Sequence, residues 1–417
     1  MKTKNIFFIL LILTFIFLRI YQLPQVVNFS MDQGTTLLRI YQNWQTKKIS
    51  LIGPESSIKT QSGRAFFHGP WIDYFLLPVM LISNWNPLAG SYFFIFLNLV
   101  SLLFLYPEIK KKKGETVALI YGFLFTFSFL LIRFSQFLWN PNFLPFVSSL
   151  MLYLLIKIDY KPKPCYFFLI GLVLGFGLGC HYQFIFIVLG VLGWILILKN
   201  YNLKLKLACL IGLLVSLSPL IIFELRHNFY NFKTLMLIIN TGSQKSLMLP
   251  LPAHYFLSLL PFVFLLESIV LAKIIKKKFI WGLIIISLFA AQTLFKIIPK
   301  QESGYTMPVG WNYIAIEKVV KIMLEQNVSD FNVASLLSGD TRNYPVRFLL
   351  TVNKKPPMKT EEYPNSKYLF VISQHNENKT INNSVWEISS FCPCRIKNVW
   401  EIQNKIKLYL LQKKESG

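Results

Sequence analysis

Apolar residues in this chain fall into long runs separated by short polar intervals, and the pattern changes abruptly about three quarters of the way along. The runs occupy residues 5–20, 88–106, 115–134, 143–158, 165–180, 183–198, 205–223, 254–272 and 279–298. A bilayer core takes about 20 apolar residues per helix, so the pattern predicts about nine transmembrane helices in residues 1–299. A further apolar run, Trp71 to Ser83, would make a tenth crossing. Beyond Pro299 the chain is mixed. Short β-rich runs stand at Phe331–Leu337, Lys367–Ser373, Val385–Ser390 and Ile406–Leu411, and Tyr313–Gln326 repeats Ile316, Val319, Val320 and Met323 at helical spacing. The expected fold class is mainly α: a polytopic helical membrane protein (1–299) followed by a small α/β domain (300–417).

Charge decides which crossings are real. The 417 residues are 54% hydrophobic with a net charge of +24, and mean hydropathy is +0.48. The lysines gather at Lys110–Lys113, at Lys157, Lys161 and Lys163, at Lys199, Lys204 and Lys206, and at Lys273 with Lys276–Lys278. With the N-terminus cytoplasmic and 71–83 not crossing, all four clusters fall inside, as the positive-inside rule requires. Counting 71–83 as a span would put all of them outside. That run is therefore expected to lie flat in the outer interface. The odd number of crossings then places 300–417 on the extracytoplasmic side of the plasma membrane. A pI near 9.7 raises the possibility of nucleic-acid binding. The basic residues are short hinges between spans rather than a basic domain, which argues against it. The N-terminus has the charge and length of a signal peptide but no small-x-small cleavage site, so it reads as an uncleaved first helix. Of the five cysteines, Cys392-Pro393-Cys394 is too closely spaced for an easy disulfide; two ordinary thiols are expected, with a weak metal or redox pair as the alternative.

This topology gathers at the outer ends of the helices the polar residues that are not lysine clusters, with four of the five histidines and the arginines nearest the membrane on that one side. The first outer loop, 21–87, carries Asp32 about a dozen residues after the first span, together with Arg64 and His68. Asp32 is either a carboxylate held at the membrane surface for chemistry or a helix cap near Thr35. His68, in Phe67-His68-Gly69-Pro70-Trp71, either touches substrate or anchors at the headgroups. Arg133 ends the third span before Trp139 and Asn140; it either snorkels or meets an anion. His181 joins two spans, and Glu224, Arg226 and His227 end the seventh, as a local ion pair with a capping histidine or as part of the same site. A lysine-coated inner face and a mixed outer face are different surfaces, and the second suits chemistry.

The order of a first span, a short loop with an acidic residue, Gly-Pro opening an interfacial helix and a second polar loop after the third span resembles the GT-C membrane glycosyltransferases. Within them the chain is most similar to glycosyltransferase family 39, the protein O-mannosyltransferases and lipid A aminoarabinose transferases. The family's Asp-Glu corresponds to Asp32-Gln33 and its His-Pro-Pro-Leu to His68-Gly69-Pro70-Trp71. Gln33 stands where the second acid would be, which puts tight metal binding in doubt, and the next outer loop has Trp139-Asn140-Pro141-Asn142 in place of an aspartate. The likeness covers roughly residues 1–230. It implies an inverting transfer of a sugar from a polyprenyl-phosphate donor to a glycan, lipid or protein acceptor, with Asp32 as general base. Arg64, His68, Arg133, Trp139, Asn140, His181, Glu224, Arg226 and His227 would hold the donor. No cofactor is implied with certainty, and a divalent metal could assist the phosphate. The alternative class is a multi-span transporter or flippase of lipid-linked or polar substrates. It is disfavoured by the few ionisable residues near the midplane and the absence of related halves. A membrane-anchored binding protein ranks third.

Overall fold

The computed structural model describes residues 3–199, 201–244, 252–304, 307–337 and 339–414. Packing divides the chain into two units, each discontinuous in sequence. Residues 1–21, 49–79 and 90–299 form the first; residues 22–48, 80–89 and 300–417 form the second. The boundary expected at 299/300 is thus the last of several passages between units.

The first unit is helical where the apolar runs predict it. Pro87–Lys113, Asn140–Tyr160, Leu203–Arg226 and Phe279–Ile297 are long and apolar enough to cross a membrane, among the described residues. A fifth candidate is the pair Glu115–Phe127 and Phe129–Ser135, bent by 55°. Other expected spans are occupied by shorter apolar helices, among them Ile6–Ile20, Pro164–Cys180 and Tyr182–Ile197, and the run from Trp71 is a helix to Ile82. Leucines along Leu203–Arg226, including Leu207, Leu210 and Leu214, stay largely exposed, as lipid-facing side chains do. The pattern is that of an integral membrane protein.

The bend at Ser128 has an identifiable partner. A broken helix strands carbonyls that water cannot reach in a bilayer. Arg19, fully buried at the end of Thr3–Ile20, donates Nη1 to Thr126 O at 3.1 Å and Nη2 to Phe125 O at 3.2 Å. Its guanidinium lies 3.6 Å over the Phe15 ring. Thr293 Oγ1 donates to Phe127 O at 2.6 Å, and the hydroxyl of Ser128 caps the next helix by accepting from Leu131 N.

Pro164–Cys180 and Leu203–Arg226 meet along glycines. A Cβ on Gly171 would fall 1.9 Å from Cys209 O, and one on Gly212 would fall 2.0 Å from Phe168 O. Only bare backbone permits that approach, which is how small residues drive helix association in lipid. The contact fixes the end of Pro164–Cys180, where His181 follows. Between the first helix and Trp71–Ile82 the chain forms an antiparallel hairpin of β1 (Glu55–Lys59) and β2 (Ala65–Phe67), with Glu55 opposite Phe67.

The second unit contains an α/β layer. Its sheet runs β3 (Phe331–Ser335), β4 (Tyr368–Ser373), β6 (Ile406–Lys413), β5 (Cys394–Gln403). β3 and β4 are parallel, joined through the helix Tyr344–Val352, and the other pairs are antiparallel. Every residue of β3 is buried, and Val371, Tyr409 and Leu411 pack with Ala334 and Tyr363 in the core. Arg347, buried, donates to Arg342 O at 2.7 Å, Met358 O at 2.9 Å and the Tyr363 hydroxyl at 2.7 Å.

Two expectations for this unit are corrected. Val385–Ser390 is not a strand: Trp386–Ser389 is helical, because Val385, Ile388 and Phe391 recur every third residue and turn one face into the core. Cys392 and Cys394 are disulfide-bonded rather than free, their turn placing the Cα atoms 4.6 Å apart, within the range a disulfide spans. The helix Met31–Gln45 also belongs here. A Cβ on Gly34 would fall 2.5 Å from Pro345 N and 2.6 Å from Tyr344 C, so the helix rests backbone to backbone on the start of Tyr344–Val352.

Candidate functional site

The hairpin and the glycine-packed helices converge on a cluster of histidines in the first unit. His68 follows β2 and is pinned on both sides: its N–H donates to Pro54 O at 3.0 Å and its carbonyl accepts from Gly53 N at 2.8 Å. Gly69 N then donates to Gly179 O at 2.7 Å, tying the loop to the end of Pro164–Cys180. This brings the His68 and His181 rings into a stack, centroids 5.0 Å apart and 20° from parallel. His254 meets His181 edge-on at 5.6 Å and Trp139 at 4.8 Å. Tyr182 lies 4.9 Å from His68 and donates its hydroxyl to Phe67 O at 2.5 Å. Asn140 Nδ2 donates to Cys180 O at 2.9 Å and so holds the turn that presents His181.

These rings are held neutral. Burial pushes His68 and His254 down to about 4. His181 is lowered well below the ordinary range by burial first and by the other two rings second. His68 Nδ1 and Gln183 Oε1 are buried without a hydrogen-bond partner, although Gln183 Nε2 donates to His254 O at 2.8 Å. Buried polar atoms are normally paired, so two orphans in one cluster mark a place that a ligand could satisfy.

An apolar cavity of about 720 Å³ adjoins the cluster. It is lined by Phe66, Leu178, Tyr182, Leu217 and Phe232, with Glu224 and Asn231 as its polar members. Tyr182 is common to cavity and cluster, and its ring packs on Phe66 at 5.0 Å. Glu224 has a structural task there: its two oxygens accept from Asn231 N and Phe232 N, each at 3.1 Å, capping the helix Tyr230–Thr241. A carboxylate is well suited to that helix end. Asn231 Oδ1 accepts from Phe67 N at 2.9 Å, joining this helix to the hairpin.

The other candidate residues divide. His68, Trp139, Asn140 and His181 come together. Arg64 donates Nη2 to Tyr230 O at 3.1 Å and stacks 4.0 Å over that ring, and Phe229 and Asn231 on either side of Tyr230 line the cavity. Arg133, buried, has its own neighbourhood, with Gln136 at 3.5 Å and the Phe129 ring at 5.5 Å. Arg226 and His227 are exposed; the His227 ring closes the last turn by bonding Phe223 O at 2.9 Å. Asp32 lies in the second unit, exposed in the first turn of Met31–Gln45. The cap of that helix is Ser30, not Asp32: Gln33 Oε1 accepts from Ser30 N at 3.1 Å and from its hydroxyl at 2.7 Å. Gln33 therefore completes a capping box. Sequence reasoning passed over His254 and Tyr182. His254 was absorbed into a span expected from 254, whereas the helix begins at Leu260 and His254 sits in a preceding 3₁₀ turn. The signal that could have found Tyr182 was its place between His181 and Gln183.

Residues 67–223 match the family described as dolichyl-phosphate-mannose-protein mannosyltransferase. The backbone is similar to ArnT from Cupriavidus metallidurans bound to undecaprenyl phosphate, at 9% identity and a TM-score of 0.60 over 98% of this chain and 97% of that one. The fold is that of the GT-C glycosyltransferases. The apo form of the same ArnT gives 10% identity and a TM-score of 0.62 with the same coverage. The Archaeoglobus fulgidus oligosaccharyltransferase is similar at 14% identity and a TM-score of 0.40, over 72% of this chain and 39% of its own. No curated protein matches the sequence. Within the GT-C fold, the family match begins one residue before His68 and ends one before Glu224, so it brackets His68, Arg133, Trp139, Asn140 and His181.

Proposed function

We propose that this protein is a membrane glycosyltransferase that takes a sugar from a polyprenyl-phosphate donor and passes it to a glycan, lipid or protein acceptor at the outer membrane face. The observation that carries this reading is the pairing of an apolar cavity of about 720 Å³ with a buried histidine cluster across Tyr182. Such a donor is an amphiphile with a long apolar tail and a polar head. The family match over 67–223 and the likeness to an undecaprenyl-phosphate-bound ArnT support the same class.

The donor's chain would lie along Leu178, Leu217 and Phe232, and its head would meet His68, His181 and Trp139. A phosphate leaves without needing a proton, so one base suffices. Asp32 takes the proton of the acceptor hydroxyl as that oxygen attacks the anomeric carbon; the carbon–oxygen bond to phosphate breaks and the configuration inverts. Arg64 and Arg133 are the guanidinium candidates for the phosphate charge. Among the described residues no group of three or more His, Cys, Asp or Glu is arranged to hold a metal ion, and no step here is routed through one. The chain would sit in the plasma membrane with its N-terminus cytoplasmic and residues 300–417 outside.

The test is to incubate the purified full chain with a panel of polyprenyl-phosphate sugars and follow donor turnover. Turnover is expected with at least one sugar. Asp32→Asn is expected to cut it by about 10²–10⁴-fold with unfolding unchanged, and Leu217→Trp, which fills the cavity, is expected to raise the apparent donor KM. Full activity in Asp32→Asn would remove the proposed base.

A further inference from the structure

A second cavity, of about 500 Å³, opens in the first unit at the end of the bundle where the lysines gather. Leu152, Ile156, Phe186, Val191 and Trp194 line it, while Lys112, Lys113 and Asp159 stand at one rim. Phe186 is 70% exposed, so the cavity is open along the helix surface that faces lipid. Gly190 lines it as well, and a Cβ built there meets nothing within 4 Å. The groove is therefore open space rather than tight packing. A space of this size with apolar walls does not stay empty in a bilayer, because interiors pack densely and hydrocarbon is at hand.

The rim chooses the occupant. Asp159 is already held by Lys112, so Lys113 is left to set the charge of the mouth. Lys111 lies 5.2 Å over the Tyr160 ring beside it, and nearby Lys157 is taken up by Glu108 at 2.5 Å. An apolar slot under a net-positive mouth at headgroup depth is the arrangement that selects anionic lipids. We propose that this groove is a binding site for one diacyl phospholipid with an anionic head group, an acyl chain lying against Trp194 and Phe186 and the phosphate at Lys113, beside the Lys112–Asp159 pair that keeps the mouth net positive. The site is separate from the histidine cluster and does not rest on the transferase reading.

The test uses full-length protein in phosphatidylcholine vesicles containing a small fraction of brominated lipid. The signal is the part of the tryptophan quenching that Trp194→Phe removes. Brominated phosphatidylglycerol is expected to quench Trp194 at a several-fold lower mole fraction than brominated phosphatidylcholine. Each of Lys112→Gln and Lys113→Gln is expected to reduce that preference by about fivefold, the factor equivalent to about 1 kcal/mol per basic side chain. Gly190→Leu fills open space without displacing any neighbour, so it keeps the test valid if a lysine variant misfolds; it is expected to abolish Trp194 quenching by both lipids. Equal quenching by the two brominated lipids, or unchanged quenching in Gly190→Leu, overturns the proposal. Displacement by polyprenyl phosphate at lower concentration than by phosphatidylglycerol would also overturn it, by assigning the groove to the carrier lipid.

Discussion

Two buried polar clusters in the helical unit use their polarity in opposite ways. Around Arg19, both terminal nitrogens are committed to carbonyls that the bend at Ser128 sets free, and Gln136 closes the network by donating to Arg19 O at 3.1 Å. Around His68, three neutral rings crowd together while His68 Nδ1 and Gln183 Oε1 go unpaired. The first cluster repairs backbone through the terminal nitrogens of Arg19, although Arg19 Nε and Thr126 Oγ1 stay unpaired there too; in the second, the His68 ring is spent on no backbone group. A buried charge in a membrane segment is thus not by itself a functional residue. What separates the two is where the hydrogen bonds end.

The sharpest way to break the comparison is Arg19→Leu. It keeps bulk but strands the carbonyls of Phe125 and Thr126, at about 1–3 kcal/mol each, so a stability loss of about 2–6 kcal/mol is expected in thermal unfolding of the detergent-purified protein. Unchanged unfolding would show that Arg19 does not hold the bend. His68→Phe should do the reverse. The ring stack is preserved and an orphaned atom removed, so stability should shift by less than about 1 kcal/mol. Donor turnover should fall by about tenfold or more, the equivalent of about 1.4 kcal/mol. A large stability loss with normal turnover would make the histidine cluster structural as well.

Acid offers a third discrimination. Folded pKa values near 4 for His68 and His254 lie below the unfolded value near 6.5. Between those limits the unfolded chain binds more protons, so these rings destabilise the fold as pH falls from about 6.5 to about 4, by on the order of 1 kcal/mol per pH unit for each ring. Their full contribution to stability is present above pH 6.5. The melting temperature followed over that window should fall, and His68→Phe should flatten the slope; an unchanged slope would mean the ring is not desolvated. The smallest effect is expected from Glu224→Gln. It keeps one acceptor oxygen for the helix Tyr230–Thr241 but puts an NH2 in place of the other and loses the charge, at about 1 kcal/mol, visible as faster hydrogen exchange at Asn231 and Phe232.

The sequence made the membrane part legible because lipid imposes long apolar runs with few exceptions, and His181, His68, Trp139 and Asn140 were found as polar residues at span ends. What escaped it depended on tertiary packing. Glu224 read as a site acid or ion-pair partner, yet the helix it caps lies across a turn whose geometry no local pattern announces. Gln33 read as a missing carboxylate and is half of a capping box. β5 was overlooked because Arg395, Lys397 and Glu401 leave it without an apolar run, although β6 pairs with it from Cys394 to Gln403 with two shifts of register. Gly171 and Gly212 were read only as members of apolar spans and are where two helices touch.

The seat of Gly34 on Tyr344 and Pro345 has a bearing on biosynthesis. Residue 34 leaves the ribosome some three hundred residues ahead of its backbone partners, and most of the membrane bundle is inserted in between. The segment bearing Asp32 must therefore wait for the C-terminal portion before it can settle. A chain truncated at Pro299 would retain Asp32 in its sequence while lacking the surface on which its helix rests.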